Sequence, residues 1–170
     1  MKYPRLILTT LLLAFIPLMG CDSVLGTDDE ATDPEMGIIE WEDPPSDGAE
    51  ATASSIPDEY LALSAPDTVE AGVSFEVTVT TLGPNGCWRA DREDVETEGD
   101  PPTAVTITPY DKHSGADACT MQIVGLERTV DLQFDVPGTT TIWVTGRAVE
   151  GSDPSDGRTT EIEHEVTVVE

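Results

Sequence analysis

The stretch SFEVTVT, residues 74–80, decides the fold class of this chain. Its apolar residues Phe75, Val77 and Val79 alternate with polar ones, so a strand formed here has one apolar and one polar face. Further along the chain, no long helical period appears. The sequence therefore predicts an all-β protein. The same two-residue period recurs around residues 105–107, 128–134, 140–145 and 159–169.

Turn-forming residues separate these alternating segments, and their spacing predicts about seven short antiparallel strands between residues 60 and 170. Two phrases, APDTVEAGVSF at 65–75 and DVPGTTTI at 135–142, resemble the opening strand and a late turn of bacterial immunoglobulin-like modules. The resemblance implies an immunoglobulin-like antiparallel β-sandwich. The antibody pattern of Cys, Trp and Cys is absent, because Trp88 directly follows Cys87.

The first 20 residues have the layout of a bacterial secretory signal. Lys2 and Arg5 precede an apolar run over residues 6–19, which is shorter than the roughly 20 residues that a membrane-spanning helix needs. The residues LMGC at 18–21 resemble the lipobox of bacterial lipoproteins. This resemblance implies cleavage before Cys21, attachment of acyl chains to Cys21, and anchoring to an inner or outer membrane of the cell envelope or at the cell surface.

Residues 21–59 are predicted to be a lipidated, flexible acidic tether. Residues 22–59 contain 13 acidic residues and no lysine or arginine, with several prolines. Such a segment buries too little apolar surface to offset the entropy of ordering it. Ile38, Ile39 and Trp41 are the exception. We interpret them as an apolar patch within the tether, with a short strand or a partner-docking site as the alternative.

Charge restricts the classes of partner. The chain has 34 Asp and Glu against 8 Lys and Arg, a formal net charge of −26. This excess argues against nucleic-acid binding, which needs cationic side chains to contact phosphates. Adaptation to high salt, in which repulsion between carboxylates is screened, is the explanation that the even spread of charge favours. Binding of calcium or of a cationic partner by clustered carboxylates is the alternative.

Cys87 and Cys119 remain as a pair once Cys21 carries lipid. Exported chains enter an oxidising compartment, where two remaining cysteines usually form a disulfide. The sequence therefore predicts a Cys87–Cys119 bond that pins the charged insertion at 89–99. Two free thiols or a metal-binding pair remain the alternative.

Four residues near this pair form a candidate recognition surface in the sequence. The competing interpretation, which the pattern favours, is that the tryptophan among them fills the core beside the disulfide. The four residues are Trp88, Arg89, Arg92 and Tyr110.

Signatures of catalysis and of metal binding are weak throughout the sequence. His113 lies in a polar segment without a nucleophile motif, and His164 lies on the apolar face of the last predicted strand. The carboxylate runs do not match a calcium-binding loop. We therefore predict no catalytic residues, no metal ligands and no cofactor.

The predicted function is that of a non-enzymatic envelope lipoprotein. It is held on the membrane through Cys21, and its folded domain, residues 60–170, serves protein interaction, adhesion or envelope scaffolding. The alternative is an envelope module that binds a cation or a small ligand.

Overall fold

The computed structural model describes residues 33–42, 62–151 and 153–170. These residues contain ten strands and no helix, and so no helix that could cross a membrane. The prediction of an all-β fold is confirmed for this part of the chain. The strands are β1 Glu35–Met36, β2 Ile38–Glu42, β3 Leu63–Ser64, β4 Thr68–Glu70, β5 Ser74–Gly83, β6 Trp88–Glu98, β7 Ala104–His113, β8 Val124–Gln133, β9 Gly138–Glu150 and β10 Gly157–Val169.

The strands form one mixed sheet. Its long ladders β5–β8, β6–β7 and β9–β10 are antiparallel, whereas β7–β9, β2–β9 and β4–β10 are parallel. Between residues 60 and 170 the structure has eight strands, close to the predicted seven, but the antiparallel prediction is wrong for the pairs β7–β9 and β4–β10. Alternation reports which face of a strand is buried, and it is the same for a half-buried strand of either direction.

The main core lies between two groups of strands. Alternate side chains of β5 and β8 pack against alternate side chains of β7, β9 and β10, and each of these strands keeps its other face polar or half-exposed. Burial on one face of each strand is what the two-residue period predicts. The buried cluster comprises Ile39, Val69, Val77, Val79, Val105, Ile107, Val130, Leu132, Phe134, Ile142, Val144, Val166 and Val168.

Strands β1 and β2 fill the gap that opens where β7 and β9 separate. β1 pairs with β7, and β2 pairs with β9 and touches β5. Between them, Gly37 donates its N–H to the Pro109 carbonyl at 2.8 Å, and its own carbonyl accepts from the Arg147 N–H at 2.9 Å. A second buried cluster of Ile38, Trp41, Leu82 and Val149 seals this region.

The predicted flexible tether is therefore wrong for residues 35–42, which are part of the sheet. The apolar side chains of Ile38, Ile39 and Trp41 are at most 7% exposed. The acidic composition of the segment suggested that the entropy cost of ordering it would be too large. Burial of these three side chains offsets that cost. The signal at 1–20, Cys21, and the tether residues 22–32 and 43–59 lie outside the described residues.

Gly37 is expected to tolerate no side chain. A Cβ added there would overlap Thr81 Cγ2 and stand 2.8 Å from Asp111 Oδ2. We predict that Gly37→Ala lowers the free energy of unfolding by about 1–3 kcal/mol, the usual cost of overpacking. Urea denaturation of the full chain measures it. Glu42→Ala, at an exposed position of the same strand, should change stability by less than about 0.5 kcal/mol. Equal effects of the two substitutions would contradict the tight packing at Gly37.

Candidate functional site

The predicted disulfide between Cys87 and Cys119 is confirmed. It ties the start of β6 to the connection between β7 and β8. His113 lies against it, with Nε2 3.5 Å from Cys119 Sγ. The Gly115 N–H donates to His113 Nδ1 at 3.1 Å, so the neutral ring carries its proton on Nε2, facing the sulfur. The Trp88 ring packs edge-on against His113, at 5.8 Å between ring centroids.

Cys87, Cys119 and His113 also form a group of potential metal ligands. The Cys87 and Cys119 sulfurs and a ring nitrogen of His113 lie within 4.8 Å of one another. The disulfide withdraws both sulfurs from this role, because a metal binds the thiolate. Sequence reasoning considered the two cysteines without His113. The clue was the register that a β6–β7 hairpin would impose, which places His113 opposite Trp88.

The charged segment 89–99, predicted as an insertion, is instead mainly strand β6, and it pairs with β7 along its length. It presents an edge on which charged side chains discourage pairing with another sheet. Asp91 pairs with Lys112, and this hydrogen bond lowers the pKa of the Asp91 carboxyl.

The four candidate recognition residues divide between two faces of the β6–β7 ladder. Trp88 stands opposite His113 on the core side, yet it belongs to neither buried cluster. Arg89, Arg92 and Tyr110 point away from the core, and the Arg92 guanidinium lies 4.2 Å from the Tyr110 ring centroid. Three of the four are therefore brought together, at the disulfide end of this ladder.

A buried ion pair joins the two groups of strands at one end of the core. The Arg128 guanidinium of β8 pairs with the Asp111 carboxylate of β7, and their side chains are 6% and 4% exposed. Arg128 also donates to Thr81 Oγ1 at 2.9 Å, and to the Tyr110 and Arg92 carbonyls at 3.0 and 3.2 Å. Burial raises the pKa of Asp111, and the Arg128 charge opposes this effect. The network is enclosed, so its role is structural.

The outer face is the surface formed by side chains of β6, β7, β9 and β10 that point away from the core. Across it runs one row in register, from Glu96 through Thr106 and Trp143 to Glu163. A second row runs from Glu98 through Ala104 and Thr141 to Glu165. In both rows the carboxylates are exposed and the central residues are half-buried.

Trp143 is the distinctive residue of the outer face. It is half-buried, stands on the side of β9 opposite Ile142 and Val144, and belongs to neither buried cluster. Beside it, Thr145 Oγ1 donates to Glu161 Oε1 at 3.2 Å. The alternation in residues 140–145 assigned Ile142 and Val144 to the core. That assignment already implied a tryptophan facing outward, but sequence reasoning did not use it.

His164 lies on the core side of β10, as the sequence predicted, with Nε2 3.4 Å from Asp67 Oδ1. A depression at the β9–β10 turn is lined by Ala148, Glu150, Asp156, Gly157 and Arg158. In it Arg158 pairs with Glu150, both well exposed. This arrangement holds no nucleophile beside a base, the geometry that covalent catalysis requires.

Comparison with known proteins leaves the outer face to be interpreted from its own chemistry. No protein-family model, curated protein or solved structure matches this chain. The outer face combines an indole ring, hydroxyl groups and two edges of carboxylates on a rigid sheet. Such a surface can stack, accept hydrogen bonds and attract positive charge.

Proposed function

We propose that this chain is a bacterial envelope lipoprotein that presents a non-catalytic, immunoglobulin-like β-sandwich for interaction with other proteins. The observation that carries the proposal is the outer face, where Trp143 points outward, is half-buried and belongs to neither buried cluster. Tryptophan is enriched at protein interfaces and among the residues that dominate binding energy. A large aromatic side chain placed outward on a rigid four-strand platform is suited to recognition.

The sandwich is supported by a core lying between two groups of strands. The parallel β7–β9 pair departs from the antiparallel pattern of the immunoglobulin modules that the sequence resembles. A non-catalytic role is supported by the three carboxyl groups whose pKa is shifted. Each of these groups is already engaged by a neighbouring side chain of the same chain. Asp111 pairs with Arg128, Asp91 pairs with Lys112, and Asp153 accepts hydrogen bonds from Ser155, which lower its pKa.

Anchoring through Cys21 is supported by the likeness of residues 18–21 to a lipobox. One acyl chain binds a membrane only marginally, whereas two or three hold a protein there for long times. A tether after Cys21 would hold the sandwich away from the membrane surface. The outer face would then be accessible to proteins of the envelope.

The anchor predicts a clear biochemical difference. Expressed in a bacterium supplied with labelled palmitate, the full chain should incorporate label and partition into detergent on phase separation. Cys21→Ser should lose the label and leave the detergent phase, since its one candidate acyl acceptor is gone. Ser23→Ala, two residues away, serves as the matched control and should behave like the unchanged chain. Label retained by Cys21→Ser would refute the lipobox interpretation.

The alternative of a cation-binding module has less geometric support. In the part of the chain that the structure describes, one group of potential metal ligands converges, and it consists of Cys87, Cys119 and His113. The carboxylates of the outer face are instead distributed along two strands. Ca²⁺ takes six to eight oxygen ligands around one point, whereas separated rows suit a ligand that carries several positive charges.

A further inference from the structure

We propose that the outer face binds an extended polypeptide segment that presents lysine or arginine side chains. One cation of the partner stacks on Trp143, and others pair with the carboxylates that border the face on β6 and β10. This inference rests on the proposed function as an interaction module and specifies the chemistry of its partner.

The spacing of the outer face matches an extended chain. Its four strands lie side by side about 4.8 Å apart, so the carboxylate edges of β6 and β10 are separated by roughly 14 Å. Trp143 stands one strand away from Glu163 and two strands away from Glu96. Along each strand, residues on one face recur every ~6.8 Å, and alternate side chains of an extended partner recur at the same distance.

Charge identifies the partner as cationic. Each edge carries three exposed carboxylates in alternate positions, Asp94, Glu96 and Glu98 on β6 and Glu161, Glu163 and Glu165 on β10. Rows of like charge beside a low-dielectric surface attract an opposite charge from a distance and orient it. A cation over the face of tryptophan gains further attraction from the ring, and tryptophan is the best of the aromatic residues for this contact.

The positive residues of the outer face are confined to one end of it. Lys112 pairs with Asp91, and Arg92 lies over Tyr110 while contacting Asp91 and Asp94. Arg147 of β9 pairs with Glu35. In the part of the chain that the structure describes, the outer-face carboxylates that form no ion pair are those of Glu96, Glu98, Glu161, Glu163 and Glu165. The basic end also sets a direction, because an acidic residue at one end of the partner segment would fit there.

Other occupants fit the charge of this face less well. The segment 22–59 of the same chain has 13 acidic residues and no basic one, so the carboxylate edges repel it. A second copy would bring the same acidic face and a net charge of −26. A neutral polysaccharide could stack on Trp143, but it would gain nothing from two charged edges.

The experiment measures peptide binding to the purified full chain in detergent. The probe is a fluorescent peptide of about twelve residues with alternating Thr and Lys, whose side-chain repeat matches the face. We expect binding at low salt that weakens as salt rises. Trp143→Ala should weaken it about tenfold, as expected for a lost cation–π contact, and Glu163→Gln should weaken it about threefold. An alternating Thr–Glu peptide should not bind.

Matched controls separate recognition from general attraction. Trp88→Ala removes an indole from the other face of the ladder, and Glu76→Gln removes one carboxylate from β5 on the other side of the core. Both should leave affinity within about twofold, and all four variants should retain the melting temperature of the unchanged chain within a few degrees. If Trp143→Ala and Glu163→Gln weaken binding no more than their controls, the inference is overturned.

A second arm distinguishes failure of this inference from failure of the proposed function. A photo-crosslinking residue placed at Thr145, on the outer face, is activated in living cells, and envelope proteins joined to it are identified. Crosslinks that excess Thr–Lys peptide suppresses in isolated envelopes support the inference. Crosslinks that the peptide leaves unchanged, or salt-independent binding of a neutral oligosaccharide that requires Trp143, overturn the cationic partner. Absence of any crosslinked protein counts against the interaction function as well.

Discussion

Arg128→Met is expected to lower the free energy of unfolding by about 3–5 kcal/mol, because it leaves the Asp111 carboxylate buried without its counter-charge. Methionine keeps most of the side-chain length, so the loss reports charge and hydrogen bonding more than packing. The substitution also deprives Thr81 Oγ1 and the Tyr110 and Arg92 carbonyls of a donor. Urea denaturation of the full chain at neutral pH measures the difference.

The exposed pair between Arg158 and Glu150 provides the matched control. Its side chains are 59% and 63% exposed, so Arg158→Met should cost no more than about 1 kcal/mol. The double variant Arg128→Met, Asp111→Leu should be more stable than Arg128→Met alone, since it removes the uncompensated carboxylate. A double variant no better than the single one would show that Arg128 acts through its carbonyl contacts and not through Asp111.

The buried pair of Arg128 and Asp111 also predicts how the stability of Arg128→Met depends on pH. Burial already raises the pKa of Asp111 above its ordinary value of 3.8, and the Arg128 charge opposes this rise. Without Arg128 the pKa in the folded state rises further. A carboxyl with a raised pKa contributes most stability below its unfolded pKa and loses it as pH rises through the folded value. The deficit of Arg128→Met should therefore shrink as pH is lowered from 7 toward about 4.

The alternation of apolar residues predicted the parts of the fold that depend on one strand at a time. Val77 and Val79, Val130 and Leu132, and Val166 and Val168 all face the core, as their period of two requires. The disulfide was predictable because only two cysteines remain after Cys21. The pairing of strands could not be predicted in this way. The parallel register of Thr106 with Trp143, for example, joins two strands that are separated in sequence by another strand.

Residues 38–41 were assigned to the tether, with a short strand only as the alternative, because composition is an average over a segment. A few buried side chains fix a strand even when acidic and proline-rich sequence surrounds them, provided the rest of the sheet offers a gap of the right shape. Arg128 was concealed for a related reason. Its inward position followed from the alternation that places Val130 and Leu132 in the core, but its partner Asp111 is 17 residues away on another strand. Local periodicity identifies a buried charge without identifying what compensates it.

Loss of the Cys87–Cys119 bond is expected to lower the free energy of unfolding by about as much as Arg128→Met does. The two cysteines are 32 residues apart in sequence, and constraining an unfolded loop of that length is worth roughly 3–4 kcal/mol. The double variant Cys87→Ser, Cys119→Ser avoids a leftover thiol and should melt about 10–20 °C lower than the unchanged chain. Thermal denaturation followed by circular dichroism measures this shift.

Reductant distinguishes the covalent contribution from that of the surrounding contacts. It should lower the melting temperature of the unchanged chain to that of the double variant, and it should leave the variant itself unaffected. Two hydrogen bonds remain in either case, from the Gly86 N–H to the Thr120 carbonyl at 3.1 Å and from the Ser114 N–H to the Cys87 carbonyl at 2.9 Å. They link the same segments as the disulfide but constrain nothing in the unfolded chain. A loss below about 1 kcal/mol in the double variant would therefore mean that the unfolded loop is already compact, because the entropic stabilisation depends on that loop being free.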